Sequence, residues 1–220
     1  LFTKFKEVMG YGQELKITRT YRNAQEVIDI AGGFIQKNSL QIKKALVSPK
    51  HIQDPVIIES FTEDVDRKQT KGKGGKFYMI GKTIEGIVSK ILQENRDSSI
   101  LLLGRYGFDA YNLSRSADFV YDERSGGVKS KKFPGVRIEF MTVHRAKGLG
   151  FDNVIIINAR NDLYGFPSQI QEDPVLKYVV KDDYSIEYAE ERRLFYVALT
   201  RTKNRVYIVA PEQNPSQFVT

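Results

Sequence analysis

Two segments of the chain concentrate residues that suit an anion. The first, Met141 to Val154 (MTVHRAKGLGFDNV), ends an apolar run in Thr142 and His144 and continues at once with Arg145, Lys147 and Gly148. A hydroxyl, an imidazole, cations and free backbone N–H groups at a strand-to-helix junction suit phosphate oxygens, of a nucleotide or of nucleic acid. Alone, His144 reads as a structural histidine; in this company it reads as one of a phosphate-facing set. The second segment, Ala189 to Arg205 (AEERRLFYVALTRTKNR), sets Leu194, Val197 and Ala198 in a core-facing stripe and places Arg201 at its end. A guanidinium on the core side is unfavourable unless it meets an anion, and Arg is the cation suited to bidentate phosphate recognition. Glu190, Glu191, Arg192 and Arg193 read as a charge cluster in the first helical turn, where acidic residues complement the helix dipole.

These segments need a scaffold, and hydrophobic periodicity predicts one. Helices are expected over Asn23 to Gln36, with Asn23 as cap, over Thr83 to Leu92, and over Glu190 to Thr200. Strands are expected at Val56 to Phe61, Ser99 to Gly104, Val136 to Val143, Asn153 to Asn158 and Arg205 to Ala210, with a short β-leaning stretch at Leu15 to Thr18. Continuous apolar strands separated by helices imply a mainly parallel sheet covered on both faces, an α/β layered domain of roughly six strands. Ligands in such sheets bind beyond the carboxyl ends of strands, which directs attention to the residues after Thr18, Gly104 and Met141.

Gly81-Lys82-Thr83 resembles the tail of a phosphate-binding loop at the expected start of a helix. The motif requires Gly at position 76, which is Lys, and bulky Phe77 to Ile80 fill the would-be cradle. A P-loop is therefore rejected in favour of a plain helix start.

The chain has 220 residues, 41% hydrophobic and 28% charged, enough for one large domain or two small ones. It has no Cys and only two His, which excludes a disulfide framework and a Cys-ligated metal, and no metal site is expected. No apolar run approaches a membrane span and no signal peptide opens the sequence, so a cytoplasmic protein without membrane contact is expected. The first residue is Leu, consistent with a piece of a longer chain. Thirty-four Lys and Arg against 27 Asp and Glu give a net charge of +7, which suits a polyanionic partner. Arg67 to Lys76, rich in Lys and Gly, and Lys129 to Lys132 read as exposed basic loops.

At the two opening segments the chain resembles the UvrD/Rep family of superfamily 1 DNA helicases. TVHRAKGLGFDNVII is similar to that family's motif V and EERRLFYVALTRTKNRVYI to its motif VI. Thr20-Tyr21-Arg22-Asn23 resembles motif IV, and Ile100 to Tyr106 (ILLLGRY) resembles a family strand that ends in a DNA-contacting Arg. Gly165-Phe166-Pro167 and the run Asn214 to Phe218 look most like the DNA helicase IV branch. The resemblance covers essentially the whole chain.

It implies a RecA-like, P-loop NTPase type three-layer domain spanning residues 1–220. This would be the second motor domain, with any accessory insertion absent or very small within about residues 62–136. ATP with magnesium would bind jointly with an amino-terminal motor domain of the same protein. By resemblance Tyr21 stacks on the adenine, Arg22 and Arg201 reach the γ-phosphate, and Lys147 and Gly148 border the nucleotide. Arg105, Thr142, His144 and Arg145 face single-stranded DNA, and duplex DNA is the other partner. The P-loop Lys and the magnesium-binding carboxylates belong to the other domain, so negligible ATP hydrolysis is expected of this chain alone. Two departures stand out: Gly150 replaces the family's usual Glu, and Arg145 replaces a small residue and adds a cation near DNA. Three other readings compete: a motor fused to a nuclease, a motor-like factor that remodels RNA polymerase, and a non-catalytic basic α/β module that binds nucleic acid.

Overall fold

The computed structural model describes residues 8–12, 17–38, 41, 45–63, 75–116, 118–125, 127–170 and 187–219. In chain order the elements are α1 (Gln25–Gln36), β1 (Val56–Phe61), α2 (Gly75–Glu94), β2 (Ile100–Gly104), α3 (Phe108–Ser114), β3 (Phe119–Asp122), β4 (Gly127–Ser130), β5 (Ile138–Thr142), β6 (Asn153–Ile156), α4 (Ala189–Leu199) and β7 (Val206–Pro211). Five strands form one sheet in the order β1-β7-β6-β2-β5, every pair parallel. β3 and β4 form a separate antiparallel hairpin.

The burial of each strand follows its place in this order. Every residue of β2, β6 and β7, the three inner strands, is buried, whereas edge strands β1 and β5 are partly exposed. An inner strand of a parallel sheet is covered on both faces and so is apolar without alternation. Successive side chains still take opposite sides. Leu101, Leu103, Val154, Ile156 and Ile208 pack with Ala31 of α1 and with Leu194, Phe195 and Ala198 of α4. Ile100, Leu102, Ile155, Tyr207 and Val209 pack with Ile84, Ile87 and Val88 of α2 and Leu113 of α3. The result is the three-layer α/β domain expected from the sequence.

Three local expectations are corrected. Helix α2 begins at Gly75, so Gly81-Lys82-Thr83 lies inside it; Lys82 pairs with Glu85 at 2.8 Å and Asp118 at 3.0 Å. Asn23 does not cap α1, whose preceding residue is Ala24 without a side-chain cap. Lys129 and Ser130 belong to strand β4, with Lys129 paired to Asp122 at 3.2 Å, while Lys132 pairs with buried Glu85. Residues 67–74 of the other basic stretch, and residues 15 and 16 of the first β-leaning stretch, lie outside the described residues. Of that stretch, Thr18 accepts a hydrogen bond from the Val47 amide at 2.8 Å, and Arg19 next to it bridges to Val47.

Candidate nucleotide cleft and nucleic-acid face

Polar residues gather at both ends of the sheet. At the amino ends of β6 and β7 lies a cleft of about 420 Å³, within the size range of small-molecule sites. Tyr21, Arg22 and Arg201 line it together with Tyr196 and Thr200, and Ile28 and Leu46 add an apolar wall. Asn23 brings these parts together. Its Nδ2 donates to the carbonyls of Thr200 (3.1 Å) and Thr202 (2.6 Å), and Ser48 Oγ donates to its carbonyl at 2.7 Å. The amide that the sequence offers as a helix cap is thereby used to lock the Tyr21–Arg22 segment onto the turn after α4.

Arg201 is 9% exposed. Its Nε donates to the Val197 carbonyl (3.0 Å), Nη1 to the Leu149 carbonyl (3.2 Å) and Nη2 to Thr200 Oγ1 (3.1 Å). Arg22 is exposed and donates from Nη2 to the Gly148 carbonyl at 3.4 Å. Among the described residues neither guanidinium has an acidic partner. Burial first, and then the charge of Arg22, push the Arg201 pKa below its ordinary value. Two guanidinium groups that share a cleft without an acidic partner suit an anion. Tyr21 presents its ring to solvent, with the Arg19 guanidinium 5.3 Å from the ring centre.

At the opposite, carboxyl end of the sheet, Thr142 closes β5 beside Gly104 of β2. No helix follows Thr142. The chain makes a turn, with the Ala146 amide donating to the Thr142 carbonyl at 3.1 Å. It then runs back along the α1/α4 face as a strap whose Val143, Ala146 and Phe151 are buried in the core. His144, Arg145 and Lys147 are exposed along it. Gly148 adopts φ +91, a conformation that favours glycine, at the point where its carbonyl meets Arg22. The strap docks at the far end, where the Phe151 amide donates to the Arg201 carbonyl (3.0 Å) and the Lys203 amide donates to the Phe151 carbonyl (2.7 Å). One continuous segment therefore reaches from Thr142 at one end of the sheet to Arg22 and Arg201 at the other. The cleft itself lies at the amino ends of β6 and β7, not beyond the carboxyl ends to which the sequence directs attention.

Arg105 follows β2. Its Nε lies 3.0 Å from both carboxylate oxygens of Glu191, and its Nη2 lies 2.6 Å from Glu191 Oε1. Burial disfavours its charge, but the hydrogen bonds and charge of Glu191 outweigh that and hold its pKa above the ordinary value. Arg105 is thus bound within the chain, and Glu191 is a buried organiser rather than part of a solvated cluster. Exposed Glu190, by contrast, pairs with Arg193 at 2.8 Å, as a first-turn cluster should. The sequence carries a signal for Glu191 that the charge pattern obscures. Glu191, Leu194, Phe195, Ala198 and Leu199 are the buried residues of α4, one stripe at helical spacing that includes the acid, while Val197 is only partly buried. Tyr196 and Thr200, which line the cleft, also escape sequence reasoning.

A five-stranded parallel sheet flanked by helices, with an arginine-lined cleft at the amino ends of its inner strands, defines the chain as a three-layer α/β domain. Residues 120–213 match the family model described as the UvrD-like helicase C-terminal domain. Over its whole length it is similar to DNA helicase IV of Escherichia coli (strain K12), at 29% identity over 220 residues, 100% of this chain and 28% of that protein. The chain thus spans little more than a quarter of that relative. The crystal structure of the C-terminal domain of a possible DNA helicase from Lactobacillus plantarum WCFS1 shares the fold. It superposes with a TM-score of 0.50 at 16% identity, covering 91% of this chain and 92% of that one. Among the described residues no helix is long and apolar enough to cross a membrane, and no group of His, Asp and Glu could hold a metal ion.

Proposed function

We propose that this chain is the carboxy-terminal motor half of an ATP-driven DNA helicase. In this reading it closes over an ATP shared with an amino-terminal motor domain and converts hydrolysis into movement along single-stranded DNA. The observation that carries the reading is the pairing of Arg22 and Arg201 in one cleft, without an acidic partner among the described residues, beside the exposed ring of Tyr21. A triphosphate suits that set: the purine lies on Tyr21, and the two guanidinium groups meet the terminal phosphate. Magnesium would arrive with the nucleotide and take its protein ligands from the other domain, since the described residues of this chain offer no ligand cluster.

Hydrolysis places charge on the transferred phosphoryl group, and preorganised cations that stabilise it raise the rate by roughly 10³–10⁵. The buried hydrogen bonds of Arg201 hold it in place before the nucleotide binds. Release of phosphate leaves the two cations facing each other again, which favours an open cleft. On the DNA side, Thr142, His144 and Arg145 contact the backbone without reading sequence, while Lys147 and Gly148 border the nucleotide. Arg105 serves this face through Glu191 rather than as a free cation.

The test is Arg201→Ala in the full-length protein. ATP-driven unwinding should fall by at least about 10³-fold while single-strand binding stays nearly intact. Unwinding at the parental rate would remove the arginine from the mechanism.

A further inference from the structure

The two arginines of the cleft are far apart in sequence, and one neutral side chain spans them. Asn23 follows Arg22 directly, and its Nδ2 donates to the carbonyls of Thr200 (3.1 Å) and Thr202 (2.6 Å), the residues on either side of Arg201. Asn23 is 7% exposed. An amide nitrogen carries two protons, so a single atom serves both carbonyls; a hydroxyl offers one proton and a carboxylate none.

The segment that carries Tyr21 and Arg22 is braced as well. The Thr20 amide donates to the Val47 carbonyl at 3.0 Å, Ser48 Oγ to the Asn23 carbonyl at 2.7 Å, and the Gln25 amide to the Lys50 carbonyl at 2.7 Å. The Asn23 amide ties this braced segment to the turn after α4.

The two guanidinium groups are not held equally. That of Arg201 makes three hydrogen bonds, whereas that of Arg22 makes one, at 3.4 Å, among the described residues. With the Arg22 side chain held so lightly, the place of its backbone decides where its charge can reach. Like charges in one cleft repel, so their spacing needs a tie that neutralises neither. A carboxylate in that place would bind a guanidinium and compete with an incoming anion, while a primary amide grips the backbone and leaves both charges available.

We propose that Asn23 is the positioning residue of the cleft: through the backbone on either side of Arg201, it sets the separation of the two guanidinium groups to suit one terminal phosphate. This role rests on the helicase reading and adds to it the residue that makes the two cations act on the same group. Asn23 touches no substrate and acts through Arg22 and Arg201.

Asn23→Ala removes the tie but leaves α1 packed on α4, where Ala31 lies in the shared core and the Phe34 and Phe195 rings are 5.2 Å apart. Steady-state ATP hydrolysis by the full-length protein, saturated with oligothymidylate, is measured at a temperature where circular dichroism shows each variant folded. A misplacement of about 1 Å at a reacting group costs roughly 10²-fold, and kcat should fall by that much. KM for ATP should stay within about threefold, because the loss falls on the transition state. Oligothymidylate binding should not change. In an Arg22→Ala background, Asn23→Ala should slow hydrolysis by less than about threefold further, since a residue that acts through another has little effect once that other is gone. Asn23→Ser keeps one shorter donor and should lie between the parental protein and Asn23→Ala; where the alanine variant does not fold, it takes that variant's place in both comparisons. Parental kcat in the Asn23 variant, a loss matched by its unfolded fraction, or losses that multiply in the double variant would each overturn the positioning role. Parental hydrolysis by Arg201→Ala would instead remove the helicase reading of the cleft.

Discussion

The interaction between Arg105 and Glu191 can be measured as a coupling energy. Their side chains are 17% and 11% exposed, and Glu191 also accepts from the Ser168 amide. Glu191→Ala strands a largely buried guanidinium and removes the acceptor of a buried backbone N–H. Breaking one side of a buried ion pair is worth about 3–5 kcal/mol; the remaining exposure of Arg105 argues for about 3. Arg105→Ala strands the carboxylate, which keeps its backbone donor, so about 2 kcal/mol is expected for that variant. In the double variant no charge is left uncompensated. Its loss should fall short of the sum of the single losses by about 2 kcal/mol, the size expected of residues in direct contact. Urea unfolding of the four proteins, followed by circular dichroism, gives each value. If Glu191→Ala shifts stability by less than about 0.5 kcal/mol, as surface changes usually do, Glu191 is a solvated first-turn acid after all. Strict additivity would likewise refute the pairing.

Two further perturbations test local features at both ends of the sheet. Asp109 is 5% exposed, and burial raises its pKa from 3.8 to about 6, against the backbone hydrogen bonds from Tyr106 and Arg105 that favour the carboxylate. The folded protein therefore holds this proton more tightly than the unfolded chain, and this contribution makes stability fall as pH rises from about 4 to about 6. Asp109→Asn keeps an acceptor for the Tyr106 amide and should stabilise the protein at pH 7.5 by about 2 kcal/mol, a gain that fades towards pH 4; a gain independent of pH in melting curves would refute this. Gly165 and Gly150 form a contrasting pair: a Cβ at Gly165 would lie 2.2 Å from the Arg160 carbonyl oxygen, whereas at Gly150 it would meet nothing closer than Arg22 Nε at 3.6 Å. Gly165→Ala should thus cost more than about 2 kcal/mol and Gly150→Ala less than about 0.5 in urea unfolding, and the reverse order would contradict the backbone geometry of both turns.

Much of the layout is legible in the sequence because parallel strands announce themselves. Val56–Phe61 matches its expected bounds, and β2, β6, β7 and α4 lie within a residue or two of theirs. Inner strands buried on both faces are continuous apolar runs, and α4 shows its stripe. What is hidden depends on partners distant in sequence. Asn23 has the right type and place for a helix cap, but the turn after α4, 177 residues away, claims its amide. The start of α2 is obscured because Gly72, Gly74 and Gly75 read as loop, although Gly75 opens the helix. At the cleft, Tyr21, Arg22 and Arg201 are recognisable from motif resemblance, and the structure brings them together. The internal partner of Arg105 could not be read from its motif, since a charge pair across 86 residues leaves no local trace.

Both ends of the sheet are tied to the same two segments, and this constrains how the proposed motor can work. Helix α4 carries Glu191 at its start and ends just before Arg201, ten residues later, or about 15 Å along the axis. Its buried stripe packs on the sheet throughout, so it can transmit a displacement but absorb little of one. The strap from Thr142 to Phe151 runs alongside, with its buried residues in the same core and its far end bonded to the Arg201 carbonyl. A shift of Arg201 towards an anion must therefore be taken up either in the strap, at the glycine with positive φ beside Arg22, or in α4 as a rigid unit. The first route moves Thr142 and Arg145, which would grip phosphates. The second moves Glu191 and with it Arg105 and the Ser168 amide that it holds. On the proposed reading, nucleotide state thus reaches the phosphate-gripping residues and the buried Arg105–Glu191 pair through separate mechanical elements that share one anchor, the turn at Arg201.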